Sequence, residues 1–273
     1  MFFKNSVLTC GFILSGWLSP THGQQLKTIS NSIGMKLVLI LPGEFSMGTK
    51  EGKTGNDARI VEMECELRHE VSISNSFYLG AYEVTQRQFN AMMGFNPSSV
   101  KGDELPVESV CWTDAELFCK LLSKLPDEKT NGREYRLPTE AEWEYSCRAG
   151  CSEEYCFGES IELLKEYAWF GEVLGNPHPV GLKKANRWGL FDMHGNVREW
   201  CHDYYDEYPP ASVTDPTGPG IGETRVFRGG CFYSEAENCR ASTRRAGNES
   251  TGNRGIGIRV AASVKKNATE KGK

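Results

Sequence analysis

The 273-residue chain has no excess of basic residues, no Cys-x-x-Cys pair and, beyond Leu18, no long apolar run. Its 31 Lys and Arg are outnumbered by 36 Asp and Glu, for a formal net charge of −5. This argues against a nucleic-acid surface, because phosphate binding needs a concentrated basic face. Without Cys-x-x-Cys, neither a zinc ribbon nor a thioredoxin-type redox motif is expected. No internal repeat and no linker is visible, so the sequence predicts one domain after its N-terminal segment.

The N-terminal segment has the pattern of a secretory signal. A short start ending at Lys4 precedes an apolar run over residues 6–18, and Gly23 supplies a small residue of the kind found at cleavage sites. The run is short for a membrane span, although an uncleaved anchor helix is the alternative. We therefore predict a signal peptide over residues 1–23, a folded domain over 24–264 and a charged tail over 265–273. The protein would be exported, to the periplasm or the medium, with no membrane attachment after cleavage.

Export changes the interpretation of the cysteines, since most thiols pair in an oxidising compartment. Without Cys10, nine remain: Cys65, Cys111, Cys119, Cys147, Cys151, Cys156, Cys201, Cys231 and Cys239. An odd number leaves at least one thiol free or paired with another chain. Cys151 and Cys156 are five apart and could close a local bridge where the geometry allows it.

Two segments near the start of the domain have strand patterns. The apolar run over residues 34–41 ends at Pro42-Gly43, and residues 44–48 are interpreted as the return strand of a hairpin. Apolar residues alternate over 69–79, which predicts a half-buried strand. Further strands are expected over 224–230 and 255–262.

Three helix starts are predicted from capping residues. Thr85 and Thr113 each precede apolar residues at helical spacing. Thr139 and Glu142 stand in the capping-box relation, in which each side chain bonds an amide of the first turn. After residue 150 the chain is expected to be mainly loop and short strand.

Six ordered motifs resemble a known family. They are Gly-Glu-Phe-Ser-Met-Gly at 43–48, Tyr-Glu-Val-Thr at 82–85, Arg-Leu-Pro-Thr-Glu-Ala-Glu-Trp-Glu-Tyr at 136–145, Gly-Leu-Phe-Asp-Met-His-Gly-Asn-Val-Arg-Glu-Trp at 189–200, Arg-Gly-Gly at 228–230 and Gly-Ile-Arg at 257–259. Together they resemble the formylglycine-generating enzyme family, also called the sulfatase-modifying factor family. The resemblance covers roughly residues 34–262. It implies an α+β fold, the C-type-lectin-like formylglycine-generating-enzyme fold, with few helices and much irregular structure.

The same resemblance implies an activity and a copper site. These enzymes use oxygen and copper(I), held by two cysteines, to oxidise a sulfatase cysteine to formylglycine. Here Ser234 stands at the first cysteine position. Cys239 falls at the second when counted forward from Gly230, but counting back from 257–259 suggests a short deletion that displaces it. Because copper(I) selects soft thiolates, copper is not expected.

The functional prediction follows from that departure. We expect a binding or accessory module that is not a competent formylglycine-generating oxidase, with a sulfatase or another exported protein as a partner. The alternative is an oxygen-dependent oxidoreductase that performs this or a related oxidation, with Cys239 as the fallback reactive group.

The resemblance also implies a structural calcium ion. Its ligands would be the side chains of Asp192 and Glu199 and the carbonyls of Gly195 and Val197. Independently of the family, calcium prefers hard oxygen ligands, and a turn at Gly195-Asn196 would expose carbonyls beside two carboxylates. Alternatively, both carboxylates only accept hydrogen bonds from loop amides.

Two further predictions concern cysteines and arginines. The family's structural disulfide implies a Cys147–Cys239 bridge, whereas the family partner of Cys119 is replaced by Val260. Cys201 and Cys231 are left as a possible private pair. The C-terminal arginines are expected to pair with carboxylates more often than to line an anionic pocket: Arg228, Arg240, Arg244, Arg245 and Arg259.

Overall fold

The computed structural model describes residues 26–49 and 67–264. The predicted signal peptide, the charged tail and Cys65 lie outside the described residues. The described strands are β1 Thr28–Ser30, β2 Lys36–Ile40, β3 Gly43–Met47, β4 His69–Ile73, β5 Phe77–Gly80, β6 Arg133–Arg136, β7 Arg198–Tyr204, β8 Val213–Thr214, β9 Arg225–Arg228, β10 Arg244–Gly247, β11 Ile256–Gly257 and β12 Ala261–Val264. The helices are α1 Gln86–Met93, α2 Trp112–Lys124, α3 Pro126–Thr130, α4 Glu140–Arg148 and α5 Ile161–Tyr167, with a 3₁₀ turn at Ala236–Cys239.

The largest sheet has five antiparallel strands in the order β1-β2-β5-β12-β6. Its two faces are both buried, because successive side chains of a strand point to opposite sides. Leu37 and Tyr78 face a core shared with α1 and α2, whereas Val38 and Leu79 face a core shared with α4. The sheet therefore separates two hydrophobic cores.

Two smaller sheets complete the fold, one in the order β10-β9-β7-β11 and one in the order β3-β4-β8. Helix α4 contacts strands of both of them, and all nine of its residues are buried. A helix buried on every side must pair its charged residues internally, and α4 carries Glu140, Glu142, Glu144 and Arg148. None of the described helices is long and apolar enough to cross a membrane.

The predicted hairpin of residues 34–48 is wrong, although both of its strands exist. Strand β2 pairs with β1 and β5, whereas β3 pairs with β4 in another sheet. Both hydrogen-bonding edges of β2 are therefore already taken. The Pro42-Gly43 step carries the chain from one sheet to the other rather than reversing it within one.

The single strand predicted over residues 69–79 is also divided between two sheets. Strand β4 ends at Ile73 and β5 begins at Phe77. Between them, the Asp215 carboxylate accepts hydrogen bonds from both the backbone amide and the hydroxyl of Ser74. This contact, 141 residues apart in sequence, is invisible to a pattern of alternating apolar residues.

Two of the three predicted helix caps are confirmed. Thr85 and Thr139 each accept a hydrogen bond from the third helical amide, and each belongs to a complete capping box. Thr113 is not a cap, because α2 begins one residue earlier, after Cys111. Sequence patterns missed α3, α5 and β6, which are short, and β7, where no strand is predicted.

Replacing Thr139 with Ala should lower the free energy of unfolding by about 1 kcal/mol, because the amide of Glu142 loses its acceptor. Thr113→Ala is the matched control, with an expected change within about 0.5 kcal/mol. Urea denaturation of the two variants measures both values. Equal losses would contradict this assignment of the caps.

Candidate functional site

The segment from Asp192 to Asn196 forms a tight turn that leads directly into β7. Both of these residues adopt left-handed backbone conformations, with φ of 60° and 66°. The Asn196 side chain is fully buried and donates to the Glu83 carboxylate at 2.7 Å and to the His178 carbonyl at 3.1 Å. Its own oxygen accepts from the His178 amide at 2.9 Å. Asn196 therefore ties three distant segments together at the turn.

A buried ion pair between Arg259 and Glu199 stands beside this turn. The side chains of both residues are fully buried, and the closest nitrogen–oxygen distance is 2.7 Å. Both oxygens of Glu199 accept from Arg259, and one also accepts from the indole of Trp143 at 2.6 Å. Arg259 further donates to the carbonyls of Gly80 and Phe191. Every hydrogen-bonding group of the pair is thus engaged.

Two more carboxylates, those of Glu83 and Asp192, share this buried region. Burial, followed by the nearby Asp192 and Glu199, raises the pKa of Glu83 well above its ordinary value, against the opposing effect of Arg259. Burial also raises the pKa of Asp192 to about 6. One oxygen of Asp192 accepts from the Gly181 amide at 2.7 Å, and the other is buried without a partner. The cluster therefore holds three carboxylates and one guanidinium.

The predicted calcium ligands fit this arrangement in part. The excess of carboxylates and the open oxygen of Asp192 suit a cation, and the turn brings Gly195 and Val197 into the same segment. Glu199 does not fit as predicted, because its two oxygens are occupied by Arg259 and Trp143. Among residues 26–49 and 67–264, no group of three or more His, Cys, Asp or Glu side chains could hold a metal ion.

The loop after Gly230 contains Ser234, which is 3% exposed. Its hydroxyl oxygen accepts hydrogen bonds from the Arg198 guanidinium and from the amide of Cys231, each at 3.0 Å. The Cys231 sulfur lies 3.2 Å from the same oxygen. Ser234 therefore closes a short turn and joins it to the first residue of β7.

The fallback reactive group, Cys239, is fully buried at the end of the 3₁₀ turn. Its sulfur approaches the Glu235 carbonyl at 3.4 Å. Burial, and next the neighbouring Cys231, raise the pKa of this thiol. Because the thiolate is the reactive and metal-binding form, this environment suppresses the chemistry of Cys239.

The disulfides expected from the sequence are not formed in this structure, where all eight described cysteines are free thiols. His194 stands between Cys147 and Cys239. One ring nitrogen lies 2.8 Å from the Cys239 carbonyl, and the other lies 3.7 Å from the Cys147 sulfur. Cys151–Cys156 and Cys201–Cys231 are likewise unpaired. His194 itself is a buried core residue, and burial lowers its pKa to about 4.

The C-terminal arginines do not line one anion-binding pocket. Arg228 pairs with Glu144, Arg244 with Glu140 at 2.6 Å and Arg259 with Glu199 at 2.7 Å. The expectation that these arginines pair with carboxylates is confirmed for these three. Their partners lie on α4 or β7, so the pairs fasten those elements to the C-terminal strands.

Comparison with known proteins agrees with the geometry. A family model described as the sulfatase-modifying factor enzyme 1-like domain matches residues 25–264. The chain belongs to this family. Treponema denticola variable protein 1 superposes with a TM-score of 0.72 and 29% identity, covering 89% of this chain and 99% of that one. The predicted α+β, C-type-lectin-like fold of the family is thereby confirmed.

Two proteins of similar sequence have names that describe different roles. The chaperone protein LppX of Paenibacillus barcinonensis is 34% identical over 216 residues, which cover 62% of this chain and 73% of that protein. The formylglycine-generating enzyme of Streptomyces coelicolor is 32% identical over 177 residues, which cover 57% of this chain and 52% of the enzyme. The match thus spans about half the length of that enzyme. The family is therefore shared by proteins with different described roles.

Sequence reasoning missed three residues of the site: Glu83, Arg198 and Cys231. Glu83 lies inside one of the six recognised motifs, at 82–85, so a signal was present. Arg198 lies within the motif at 189–200, and Cys231 directly follows the motif at 228–230. Only the fold shows that both contact Ser234.

Replacing Arg259 with Met should lower the free energy of unfolding by about 3–5 kcal/mol, because Glu199 would be left buried without its cation. The loss should be smaller at pH 5 than at pH 7. Burial raises the folded-state pKa values of Glu83 and Asp192, so these groups bind protons more tightly in the folded state than in the unfolded state. Their contribution to the free energy of unfolding therefore falls as the pH rises.

Arg87→Met is the matched control, since Arg87 forms an exposed pair with Glu104 at 2.8 Å. Its cost should be at most about 1 kcal/mol. Chemical denaturation at both pH values provides the measurements. A cost for the Arg259 variant as small as that of the control would show that the buried pair is not required.

Proposed function

We propose that this chain is an exported binding or accessory module of the sulfatase-modifying factor family and not a formylglycine-generating oxidase. The observation that carries the proposal is Ser234, which stands where the family resemblance places the first copper thiolate. A hydroxyl is a hard ligand, and copper(I) selects thiolates. Copper is accordingly not a cofactor in this proposal.

The surroundings of Ser234 support a structural role for that residue. Its oxygen already accepts from Arg198 and from the Cys231 amide, which leaves the hydroxyl hydrogen to donate towards the Cys231 sulfur. A side chain held by three contacts from two neighbouring residues in a buried turn contributes to shape, as expected for a scaffold that presents loops. Fold alone does not carry activity, so loss of the thiolate is the stronger argument.

The alternative function is an oxygen-dependent oxidation of a sulfatase cysteine or a related substrate. One observation favours it: Cys231 places a second sulfur in the loop that contains Cys239, near enough to contribute to the raised pKa of Cys239. Both sulfurs are buried, however, and the raised pKa of Cys239 keeps it protonated near neutral pH.

The proposed location and partner rest on the N-terminal pattern and on the family. An exported module of this kind would act on a sulfatase or another exported protein. LppX, a relative at 34% identity, is named a chaperone, which agrees with a role in assisting another protein rather than in oxidation.

The decisive assay incubates the purified protein with a Cys-x-Pro-x-Arg sulfatase peptide, copper(I) and oxygen, and measures the aldehyde by mass spectrometry. We expect no aldehyde, because the pair of soft ligands is incomplete. A formylglycine-generating enzyme with both cysteines, run on the same peptide, is the positive control. Formation of the aldehyde by this chain, abolished in Cys231→Ser or Cys239→Ser, would replace the proposal with the oxidoreductase alternative.

We further propose that a structural calcium ion binds at the turn of residues 192–199. Asp192 offers an open buried oxygen, and the carbonyls of Gly195 and Val197 would complete the protein ligands, with water filling other positions. Glu199 would take part only by releasing contacts with Arg259. The ion would add positive charge to a buried cluster in which the pKa values of Glu83 and Asp192 are raised, and would favour their ionised forms.

Chelation should therefore lower the melting temperature, and added calcium should restore it, since calcium would bind the folded state alone. Saturation at about a hundred times the dissociation constant corresponds to roughly 2.7 kcal/mol. Asp192→Asn should abolish the response to calcium, whereas the exposed control Asp103→Asn should keep it. A melting temperature that EDTA leaves unchanged would reject the calcium ion without affecting the assignment of the module.

A further inference from the structure

A cavity of about 330 Å³ lies at the far end of β7 from the loop after Gly230. Strand β7 begins at Arg198, which contacts Ser234, and reaches this cavity at Asp203 and Tyr204. The first turn of α4 and the residues after β7 form its walls, together with residues 216–219. No residue of the loop from 230 to 239 lines it, so its properties are independent of the oxidation chemistry discussed above.

Asp203 is the buried polar group of this cavity, with 4% of its surface exposed. One carboxylate oxygen, Oδ2, accepts from the Glu140 amide at 2.9 Å. The other, Oδ1, has no hydrogen-bond donor among the residues that the structure describes. Asp203 lines the cavity, and its Oδ2 is bonded to the Glu140 amide in the cavity wall. Oδ1 is therefore the oxygen that can bond to a molecule inside the cavity.

The neighbouring cation does not neutralise Asp203. Arg244 forms two hydrogen bonds with Glu140, at 2.6 and 2.8 Å, and its guanidinium lies over the rings of Tyr205 and Tyr208. Burial, and next the negative charge of Glu140, raise the pKa of Asp203 to about 8. Arg244 opposes this shift, and at neutral pH Asp203 is mostly the neutral acid, so a cation in the cavity would favour its ionised form.

The rest of the lining also favours a positively charged guest. Asp206 and Glu207 are exposed carboxylates at the rim, whereas the rings of Tyr204 and Tyr208 already lie against the guanidinium groups of Arg225 and Arg244. A largely preformed cavity with a few converging polar groups is typical of ligand sites. His69 and Arg244 are the basic residues of the lining, and Arg244 is engaged by Glu140.

We propose that this cavity binds a primary ammonium group carried on an alkyl chain, as in a lysine side chain of a partner protein, with the ammonium donating to Asp203 Oδ1. An ammonium is preferred to a guanidinium because Asp203 has one open oxygen. A guanidinium fork gains its specificity from two parallel hydrogen bonds, and Oδ2 is already occupied by the Glu140 amide. The alkyl chain would pack against the tyrosine and proline rings.

Isothermal titration of the purified protein with three small amides tests this assignment. The probes are the N-acetyl methylamides of lysine, arginine and norleucine, which share a backbone and differ in the end group. We expect lysine to bind at least ten times more tightly than norleucine, with arginine in between. Equal affinity for lysine and norleucine, or no binding by lysine, would overturn the proposal.

Asp203→Asn probes the same contact from the protein side. Asn keeps the shape and an acceptor for the Glu140 amide but removes the charge, so lysine amide binding should weaken at least tenfold. Asp103→Asn, at an exposed aspartate outside the cavity, is the matched control and should leave binding unchanged. Unchanged binding in Asp203→Asn would overturn the proposal. Should that variant fail to fold, the comparison of lysine with norleucine on the unaltered protein decides it.

Discussion

The fully buried pair of Arg259 and Glu199 is the constraint on which the centre of this fold depends. Its guanidinium reaches carbonyls of the large sheet and of the turn before β7, and its carboxylate receives the indole of Trp143 from α4. Removing two charges from water is costly, so the pair is stable only when each donor and acceptor is engaged. The pair thereby sets the relative positions of three parts of the chain.

A second buried network, which also involves α4, repeats this solution. Glu140 and Glu144, one helical turn apart, receive Arg244 and Arg228 from the C-terminal strands, and Arg148 also binds Glu144. These contacts hold the pKa of Glu144 below its ordinary value despite its burial. Helix α4 can therefore be buried on all sides, because its charged residues are matched by arginines of neighbouring elements.

The balance of charge differs between these networks and the places where we propose ligands. Glu144 has two arginine partners, whereas Asp192 keeps one buried oxygen without a partner and Asp203 accepts a hydrogen bond from the Glu140 amide. In both aspartates burial raises the pKa. The open oxygen of Asp192 is informative, since a buried oxygen without a partner costs stability unless a ligand uses it.

Local sequence rules worked where the interaction itself is local. The capping boxes at Thr85 and Thr139 span three residues, so the sequence contains all the atoms involved. The hairpin of residues 34–48 failed for the opposite reason: which strands neighbour β2 depends on β1 and β5, and a Pro-Gly step is compatible with either outcome. The alternation of apolar residues over 69–79 likewise does not indicate that the strand is interrupted at Ser74.

The sequence by itself determined the family, through six ordered motifs, because an amino acid's identity does not depend on folding. The tertiary structure decided which charges meet. It assigned Glu199 to Arg259, sixty residues away, rather than leaving both its oxygens open for a metal, and it placed His194 between Cys147 and Cys239. Such pairings follow from long-range packing and from the cost of burying charge, which no local pattern encodes.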